Sequence, residues 1–241
     1  MPFNANAERF IADQRRYFKG AFEGFAAFGG PCVYFHRECL RAGEEEFLSK
    51  RHVEMLYATL TAWGMHRMGD AGRARTRLID WDRFHDSLTK QGARLRRFRR
   101  HRMLTMSEEQ YSKAISGLRP CYEALEVSVS NATVVANSKT LHHLLPGLVP
   151  PIDRHYTIRF LREPPAKWRA AAGGFRTVPL PTGRHDQFTV FQDACIALKR
   201  LADRVEPAIF RDEHRRHGVD APKALDNAIV NFVRILAAEG K

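Results

Sequence analysis

The sequence lacks a long hydrophobic run. No segment approaches the roughly 18 apolar residues that a membrane helix requires. The opening stretch, MPFNANAERF, also lacks the basic start and the apolar core of a secretory signal peptide. These absences predict a cytoplasmic protein that does not enter a membrane.

Cysteine is scarce as well. The four cysteines are scattered, as is typical of reduced thiols: Cys32, Cys39, Cys121 and Cys195. Cys32, His36 and Cys39 would offer metal ligands, but no second pair follows at the ligand spacing of a zinc site. The sequence therefore predicts neither a bound metal nor a cofactor.

Acidic residues are too few to balance the basic ones. The 241 residues include 39 lysines and arginines against 27 aspartates and glutamates, which gives a formal net charge of +12. This excess favours a polyanionic partner, because phosphate contacts release counterions. Nucleic acid is the leading candidate, and composition alone leaves open an acidic membrane surface or a basic protein without such a partner.

Part of this charge lies in one arginine cluster, with Leu95 and Phe98 as the expected inward side of its helix. The cluster consists of Arg94, Arg96, Arg97, Arg99, Arg100 and Arg102. The forked guanidinium group suits phosphate oxygens. We expect these arginines, together with Arg154, to contact a nucleic-acid backbone without reading its sequence.

Strand signals are few, so we expect an all-α fold. Predicted helices include Phe10–Phe28, one after the N-cap Ser49, one with a capping box at Ser107, and a closing pair, Phe188–Ile209 and Pro222–Ala238. The length suits one domain, residues 1–241. Its core lobe should span about residues 49–162, and the flanking segments 1–48 and 163–241 should pack together.

The stretch Asn131–Leu161 concentrates the informative residues. Lys139 and Thr140 stand where an apolar helix is predicted to begin. The sequence Leu148-Val149-Pro150-Pro151 should break that helix, since proline lacks an N–H group and restricts the residue before it. The chain then restarts at Asp153, which can act as the N-cap of the next helix by accepting a backbone N–H two or three residues on.

Lys139-Thr140, the proline-preceded Asp153 and the helix Tyr156-Thr157-Ile158-Arg159-Phe160 together resemble the core of the helix-hairpin-helix DNA glycosylases. The archaeal 8-oxoguanine glycosylase branch is the closest in pattern. The resemblance implies a two-lobed helical enzyme, expected to act as a monomer. Such an enzyme flips a damaged or modified base out of double-stranded DNA and hydrolyses its N-glycosidic bond, leaving an abasic site.

The resemblance also implies roles for single residues. Asp153 would stabilise the positive charge that develops on the sugar or activate the attacking group. Lys139 would be a candidate nucleophile; without it the enzyme would be monofunctional, with Asp153 assisting water. A hypermodified cytosine of phage DNA is one candidate base, so DNA repair and antiviral defence both stay open.

Further residues would shape the base pocket. Trp63 stands in the place of a stacking wall, and Met65 or His66 in the place of a wedge that fills the duplex gap. A buried tryptophan beside a surface histidine would produce the same pattern. Asn131 and Asn137 would either read a base edge or cap helices.

The chain departs from the family in three ways. Val134-Val135-Ala136-Asn137-Ser138 stands where the family's hairpin usually reads Leu-Pro-Gly-Val-Gly. Asp153 follows Lys139 by fourteen positions, which is a shorter spacing than usual in the family. The four-cysteine iron–sulfur loop of some members is absent. The first two departures leave a solvated lysine as the alternative role for Lys139.

Two other functions fit parts of the sequence. The stretch from Arg211 through Asp212 to His217 resembles the Arg-polar-x-His pattern of the HEPN ribonucleases, in which Arg211 and His217 would bind and cleave RNA without a metal. The last alternative is a basic DNA-binding protein without catalysis, in which Asp153 only caps a helix.

Overall fold

The regular structure of the chain is helical. The structure, a computed structural model, describes residues 4–27, 31–65, 78–129, 133–164, 168 and 178–239. Within these ranges every regular element is a helix, apart from one isolated bridge between Leu78 and Ser128. The predicted all-α class is confirmed. No helix in the same ranges is both long and apolar enough to cross a membrane.

The helices are α1 (Ala5–Ala12), α2 (Gln14–Phe18), α3 (Ala21–Ala26), α4 (Cys32–Glu45), α5 (Lys50–Ala62), α6 (Trp81–Lys90), α7 (Gly92–Phe98), α8 (Glu108–Gly117), α9 (Arg119–Ala124), α10 (Thr133–Leu144), α11 (Thr157–Arg162), α12 (Arg184–Arg204), α13 (Pro207–His217) and α14 (Ala221–Glu239). A short 3-10 helix, Met103–Thr105, lies between α7 and α8.

The two longest helices, α12 and α14, organise the packing. Helix α12 packs against α8, α9 and α10, while α14 packs against α2, α3, α11 and α13. Helices α4 and α5 form an antiparallel hairpin, since the Cys32 thiol at the start of α4 donates to the Ala62 carbonyl at the end of α5, at 3.1 Å. Helix α10 contacts both helices of this hairpin as well as α12.

A cluster of aromatic rings fixes α11 against the two ends of the chain. The Phe160 ring of α11 lies 5.8 Å from Phe10 and 5.2 Å from Phe232, centre to centre. Tyr17 stacks on Phe10 at 5.6 Å. Each ring is at most 1% exposed, and burial of one such ring contributes about 2–3 kcal/mol. The helix that follows Asp153 is therefore held firmly.

Two asparagines near the start of the chain satisfy the last carbonyl groups of α11. The Asn4 amide donates to the carbonyls of Phe160 and Leu161, both at 2.8 Å. The Asn6 amide donates to the carbonyls of Phe160 at 2.7 Å and Glu163 at 2.8 Å. Because a helix end leaves its final carbonyls without partners, these bonds replace a local C-cap.

Helix α10 is buried on all sides, and its start is held by a distant side chain. The Oε1 atom of Gln187, on α12, accepts from the backbone N–H groups of Thr133 at 2.5 Å and Val134 at 3.1 Å. These are two of the N–H groups that a helix start leaves without partners. Gln187 therefore acts as an N-cap supplied from another helix.

Several predicted boundaries were wrong near glycine and proline. Instead of one helix over Phe10–Phe28, the chain forms α1, α2 and α3, with a turn at Gly20, whose φ is 72°. The closing helix expected at Phe188–Ile209 ends at Arg204, because Pro207 starts α13. The N-cap at Ser49 and the capping box between Ser107 and Gln110 are confirmed.

The helix around Lys139 also differs from the prediction. Helix α10 begins at Thr133, so Lys139 lies in its middle rather than at its start. It ends at Leu144, ahead of the expected break at Leu148–Pro151, since Pro146 disfavours the helical conformation at Leu145. The two-lobed arrangement and the division around residues 49–162 stay predictions.

The cap on α10 can be tested by Gln187→Leu. The substitution keeps a buried side chain of similar size but leaves two backbone N–H groups without an acceptor, so we expect the free energy of unfolding to fall by about 1–3 kcal/mol. Urea unfolding measures this change. Gln192→Leu, on the same helix, removes only a bond to Ser116 near the surface and should cost less than about 0.5 kcal/mol. Equal losses would contradict the capping role.

Candidate functional site

A pocket of about 370 Å³ lies where the start of α4 and the end of α5 meet α10, α14 and the turn before α11. Its lining is Ala21, Phe25, Cys32, Ala62, Trp63, Gly64, Lys139, Pro151, Asp153, Tyr156, Lys223, Asp226, Asn227 and Val230. The volume falls within the roughly 300–1,000 Å³ of typical small-molecule sites. A cavity between α1, α11 and α12 is only about 50 Å³.

The structure brings Lys139 and Asp153 together in this pocket. The Lys139 Nζ atom lies 3.7 Å from Asp153 Oδ2. The Lys139 side chain is 11% exposed and that of Asp153 is 26% exposed, so the carboxylate lies nearer the mouth. The alternative of a solvated Lys139 does not fit this burial.

Local hydrogen bonds orient Asp153. Its Oδ1 atom accepts from the backbone N–H of His155 at 2.7 Å, and its own backbone N–H donates to the Thr157 hydroxyl at 3.1 Å. The predicted N-cap is therefore corrected: Asp153 closes a turn, and α11 begins only at Thr157. The Oδ2 atom remains directed towards Lys139.

A single serine joins the segments that carry the two groups. The Ile152 N–H donates to the Ser138 hydroxyl at 3.0 Å, and that hydroxyl donates to the Val135 carbonyl at 3.0 Å. Ser138 precedes Lys139 and Ile152 precedes Asp153, so the bond fixes the separation of their side chains. This role could not be predicted from the sequence, because a serine inside a helix gives no signal of a distant partner.

Trp63 forms an aromatic wall of the pocket, at the C-cap of α5. Its indole N–H donates to the Cys32 carbonyl at 3.4 Å. The Lys139 Nζ atom lies 5.6 Å from the centre of its ring. Tyr156 adds a second aromatic ring to the lining.

Helix α14 supplies a polar wall that the sequence analysis missed. The Lys223 Nζ atom lies 2.8 Å from Asp226 Oδ2, and their side chains are 5% and 10% exposed. Burial lowers the pKa of Lys223 and raises the pKa of Asp226. Asn227 is 2% exposed, and its amide nitrogen has no hydrogen-bond partner among the described residues. The sequence offered no clear signal, because a lysine and an aspartate three residues apart on a helix are typical of a solvated pair.

Three neutral histidines pack behind Trp63. His143 Nδ1 bonds the Lys139 carbonyl at 2.7 Å, so it carries the proton, and His143 Nε2 accepts from His36 Nδ1 at 3.0 Å. His142 Nδ1 donates to the Val149 carbonyl at 2.9 Å. Burial lowers the pKa of His143 to about 3 and keeps the pKa values of His36 and His142 well below the ordinary value.

Two other expected pocket residues, Met65 and Asn137, do not line the pocket. Met65 is 5% exposed and packs in the hydrophobic core after the turn at Gly64, whose φ is 78°, so it cannot act as a wedge as placed. Asn137 lies two residues before Lys139 and therefore on another face of α10. It is 1% exposed, and its amide donates to the Tyr122 carbonyl at 2.9 Å. His66 and Asn131 lie outside the described residues.

The arginine cluster around α7 lies on the surface, with Leu95 fully buried beneath it. Within the described ranges none of the six forms an ion pair with an acidic side chain. Arg99 donates to the Gly43 carbonyl at 2.8 Å, near the end of α4. Cys32, which lines the pocket, begins the same helix. The rise along α4 from Cys32 to Gly43 is about 16 Å. The cluster and the pocket therefore occupy opposite ends of the α4–α5 hairpin.

Arg154 is partly committed to the protein itself. Its guanidinium group donates twice to the Val178 carbonyl, at 2.8 and 3.1 Å. Two of its five donors are therefore not free for a phosphate group.

The two residues expected to form a ribonuclease site do not face each other within one chain. Arg211 and His217 are six residues apart on α13, which is about 1.7 turns, so they point to different sides. The His217 ring stacks on Phe22 at 4.3 Å, and Asp212 pairs with Arg215 at 2.8 Å. No observation among the described residues favours this alternative.

No protein-family model, curated protein or solved structure matches the chain. Its function is therefore inferred from the chemistry of the pocket.

The buried histidines predict a loss of stability in mild acid. Burial also lowers the pKa of His52 to about 4. His52 and His143 are neutral when folded, whereas the unfolded chain takes up a proton on each below pH about 6.5. The contribution of these two histidines to the free energy of unfolding is complete above that pH. It is lost as the pH falls towards about 4, by up to about 1.4 kcal/mol per pH unit for each histidine.

Urea unfolding at a series of pH values between neutrality and mild acid measures this slope. His52→Asn should reduce it, because the amide oxygen can still accept the Leu48 N–H that His52 Nδ1 accepts at 3.0 Å but does not titrate. His185→Gln is the matched control, since this side chain is 73% exposed, and its slope should equal that of the wild type. A flat wild-type profile would exclude the effect.

Proposed function

We propose that the chain is a DNA glycosylase that hydrolyses the N-glycosidic bond of a damaged or modified base flipped out of double-stranded DNA. The observation that carries this proposal is the meeting of Lys139 and Asp153, 3.7 Å apart, in a pocket walled by Trp63. A flipped base needs an aromatic face for stacking and a few polar groups around its edge. Trp63 and the polar wall of α14 match these needs.

The position of Asp153 suits chemistry at the sugar. Hydrolysis of the N-glycosidic bond leaves positive charge on the deoxyribose ring, and a fixed carboxylate stabilises that charge. Asp153 is the most exposed of the four charged groups in the pocket, so it would face the sugar while the base lies deeper. Its second task would be to take a proton from the attacking water.

The surface arginines support a polyanionic partner. The six arginines of the cluster around α7 form no ion pair with the acidic side chains of the described residues, so their charge is available to phosphate groups. The distance of about 16 Å from the pocket end of α4 corresponds to about five base-pair steps of duplex DNA. A duplex that lies along the α4–α5 hairpin would therefore reach both the arginines and the pocket.

Asp153→Asn provides the first test. The substitution keeps the size and the acceptor oxygen for the His155 N–H but removes the charge, so we expect excision to fall at least about 100-fold. Purified protein is incubated with duplexes that each carry one damaged or modified base, including phage DNA with modified cytosine, and alkali-labile abasic sites are counted. The base that responds identifies the substrate.

Asp86→Asn is the matched control, because Asp86 is 66% exposed and lies far from the pocket residues in sequence. It should excise at the wild-type rate. Tight DNA binding without abasic sites on any duplex would reject the glycosylase and favour the DNA-binding alternative. Equal activity of wild type and Asp153→Asn would remove Asp153 from the mechanism.

Lys139→Gln tests whether the lysine reacts covalently. A nucleophilic amine forms a Schiff base with the opened sugar, which borohydride converts into a stable protein–DNA adduct. We expect the wild type to give this adduct on abasic-site DNA and Lys139→Gln to give at least about 100-fold less. Lys113→Gln, at an exposed position of α8, serves as the control. Base release without any adduct would instead assign hydrolysis to Asp153 and water alone.

A further inference from the structure

The proposed reaction uses Asp153 at the mouth of the pocket and assigns no role to the ion pair of α14. Lys223 and Asp226 are more buried than Lys139 and Asp153. Taking two charges out of water costs several kcal/mol per ion. Replacing such a pair by apolar residues is often neutral or stabilising, so a buried pair facing a pocket calls for a chemical explanation.

Cleavage of the N-glycosidic bond requires a proton donor near the base. When the bond from the sugar to the base breaks, its electron pair moves onto the base, and the base leaves readily only if that charge is neutralised. A proton donor must therefore contact the base on the side away from the sugar. Lys139 lies beside the more exposed Asp153, whereas the Lys223 side chain is only 5% exposed, so we place Lys223 deeper in the pocket.

We propose that Lys223, held by Asp226, is the acid that protonates the departing base. This inference rests on the proposed glycosylase function and adds a catalytic residue to it. Lys223 touches the space for the base, and Asp226 acts as a positioning residue through its 2.8 Å contact with the Lys223 ammonium group.

The surroundings of Lys223 suit a group that holds a proton and then releases it. Its Nζ atom lies 4.1 Å from the ring centre of Phe25 and 4.9 Å from that of Trp63, and these faces stabilise an ammonium ion. Burial lowers the pKa of Lys223, which makes the ammonium a stronger acid. The charged or titratable groups around it are Asp226, Lys139, Asp153, His36, His142 and His143.

The step balances in atoms and electrons. The bond between C1′ and the base breaks, and its electron pair goes to the base. The Lys223 Nζ–H bond breaks, and that proton goes to a nitrogen or oxygen atom of the base. Water then attacks C1′ and gives its proton to Asp153. One water molecule is consumed, a neutral base is released, and solvent returns the Asp153 proton to Lys223.

Lys223→Arg separates proton donation from charge. Arginine keeps the positive charge and the contact with Asp226 but does not release a proton at working pH. Single-turnover excision is measured across a range of pH on the duplex that the wild type processes and on a duplex whose base carries an electron-withdrawing fluorine. We expect a loss of about 100-fold or more on the ordinary base and a much smaller loss on the fluorinated base, which leaves without a proton.

The wild-type rate should also fall at alkaline pH as Lys223 loses its proton, and this limb should be absent in Lys223→Arg. Lys223→Met is the second variant, in case arginine does not fit the site, and it should show the same dependence on the leaving base. Thermal unfolding is used to check that both variants are folded.

The outcomes separate the inference from the function on which it rests. Equal rates for wild type and Lys223→Arg, or equal losses on both bases, would overturn the inference while the glycosylase stands. A wild type that releases no base from any duplex would overturn both. Independently, NMR titration of the Lys223 side chain should give a pKa below the roughly 10.4 of an ordinary lysine. An ordinary pKa would contradict the role of Lys223 as the acid that protonates the base.

Discussion

The structure depends on the burial of α10. Every residue from Thr133 to Leu144 is buried, although seven of the twelve side chains are polar. A buried polar group is costly unless it is hydrogen-bonded, so neighbouring segments must present partners at fixed places. Gln187 caps the helix start, Ile152 donates to Ser138, and the Val149 carbonyl accepts from His142. The turn that carries Asp153 is thus fixed by the hydrogen bonds that the polar side chains of α10 require.

The pocket is also an electrostatic compromise. Two lysines and two aspartates share it, in one pair near the mouth and one pair on the inner wall. Breaking a buried pair by removing one partner leaves an uncompensated charge, which typically costs several kcal/mol. The two partners of each pair therefore stabilise each other, and the apolar faces of Phe25 and Trp63 lie close to the Lys223 ammonium group.

The sequence predicted those features that depend on nearby residues. The helical class, the caps at Ser49 and Ser107 and the inward side of α7 at Leu95 follow from local periodicity and capping. The sharing of one pocket by Lys139 and Asp153 was predicted through the family resemblance. The start of α10 was missed because its cap, Gln187, comes from a helix far along the chain. The inner pair was missed because Lys223 and Asp226, three residues apart on a helix, read as an ordinary solvated pair.

Trp63 stands between two very different environments. On one side its ring contacts the neutral histidines, with His143 at 4.7 Å and His36 at 5.5 Å, and on the other it lines the pocket. Indole emission responds to stacked aromatic rings and is quenched by a protonated imidazole nearby. Trp63 is one of three tryptophans in the chain, and its share of the emission depends on both the pocket on one side and the histidines on the other.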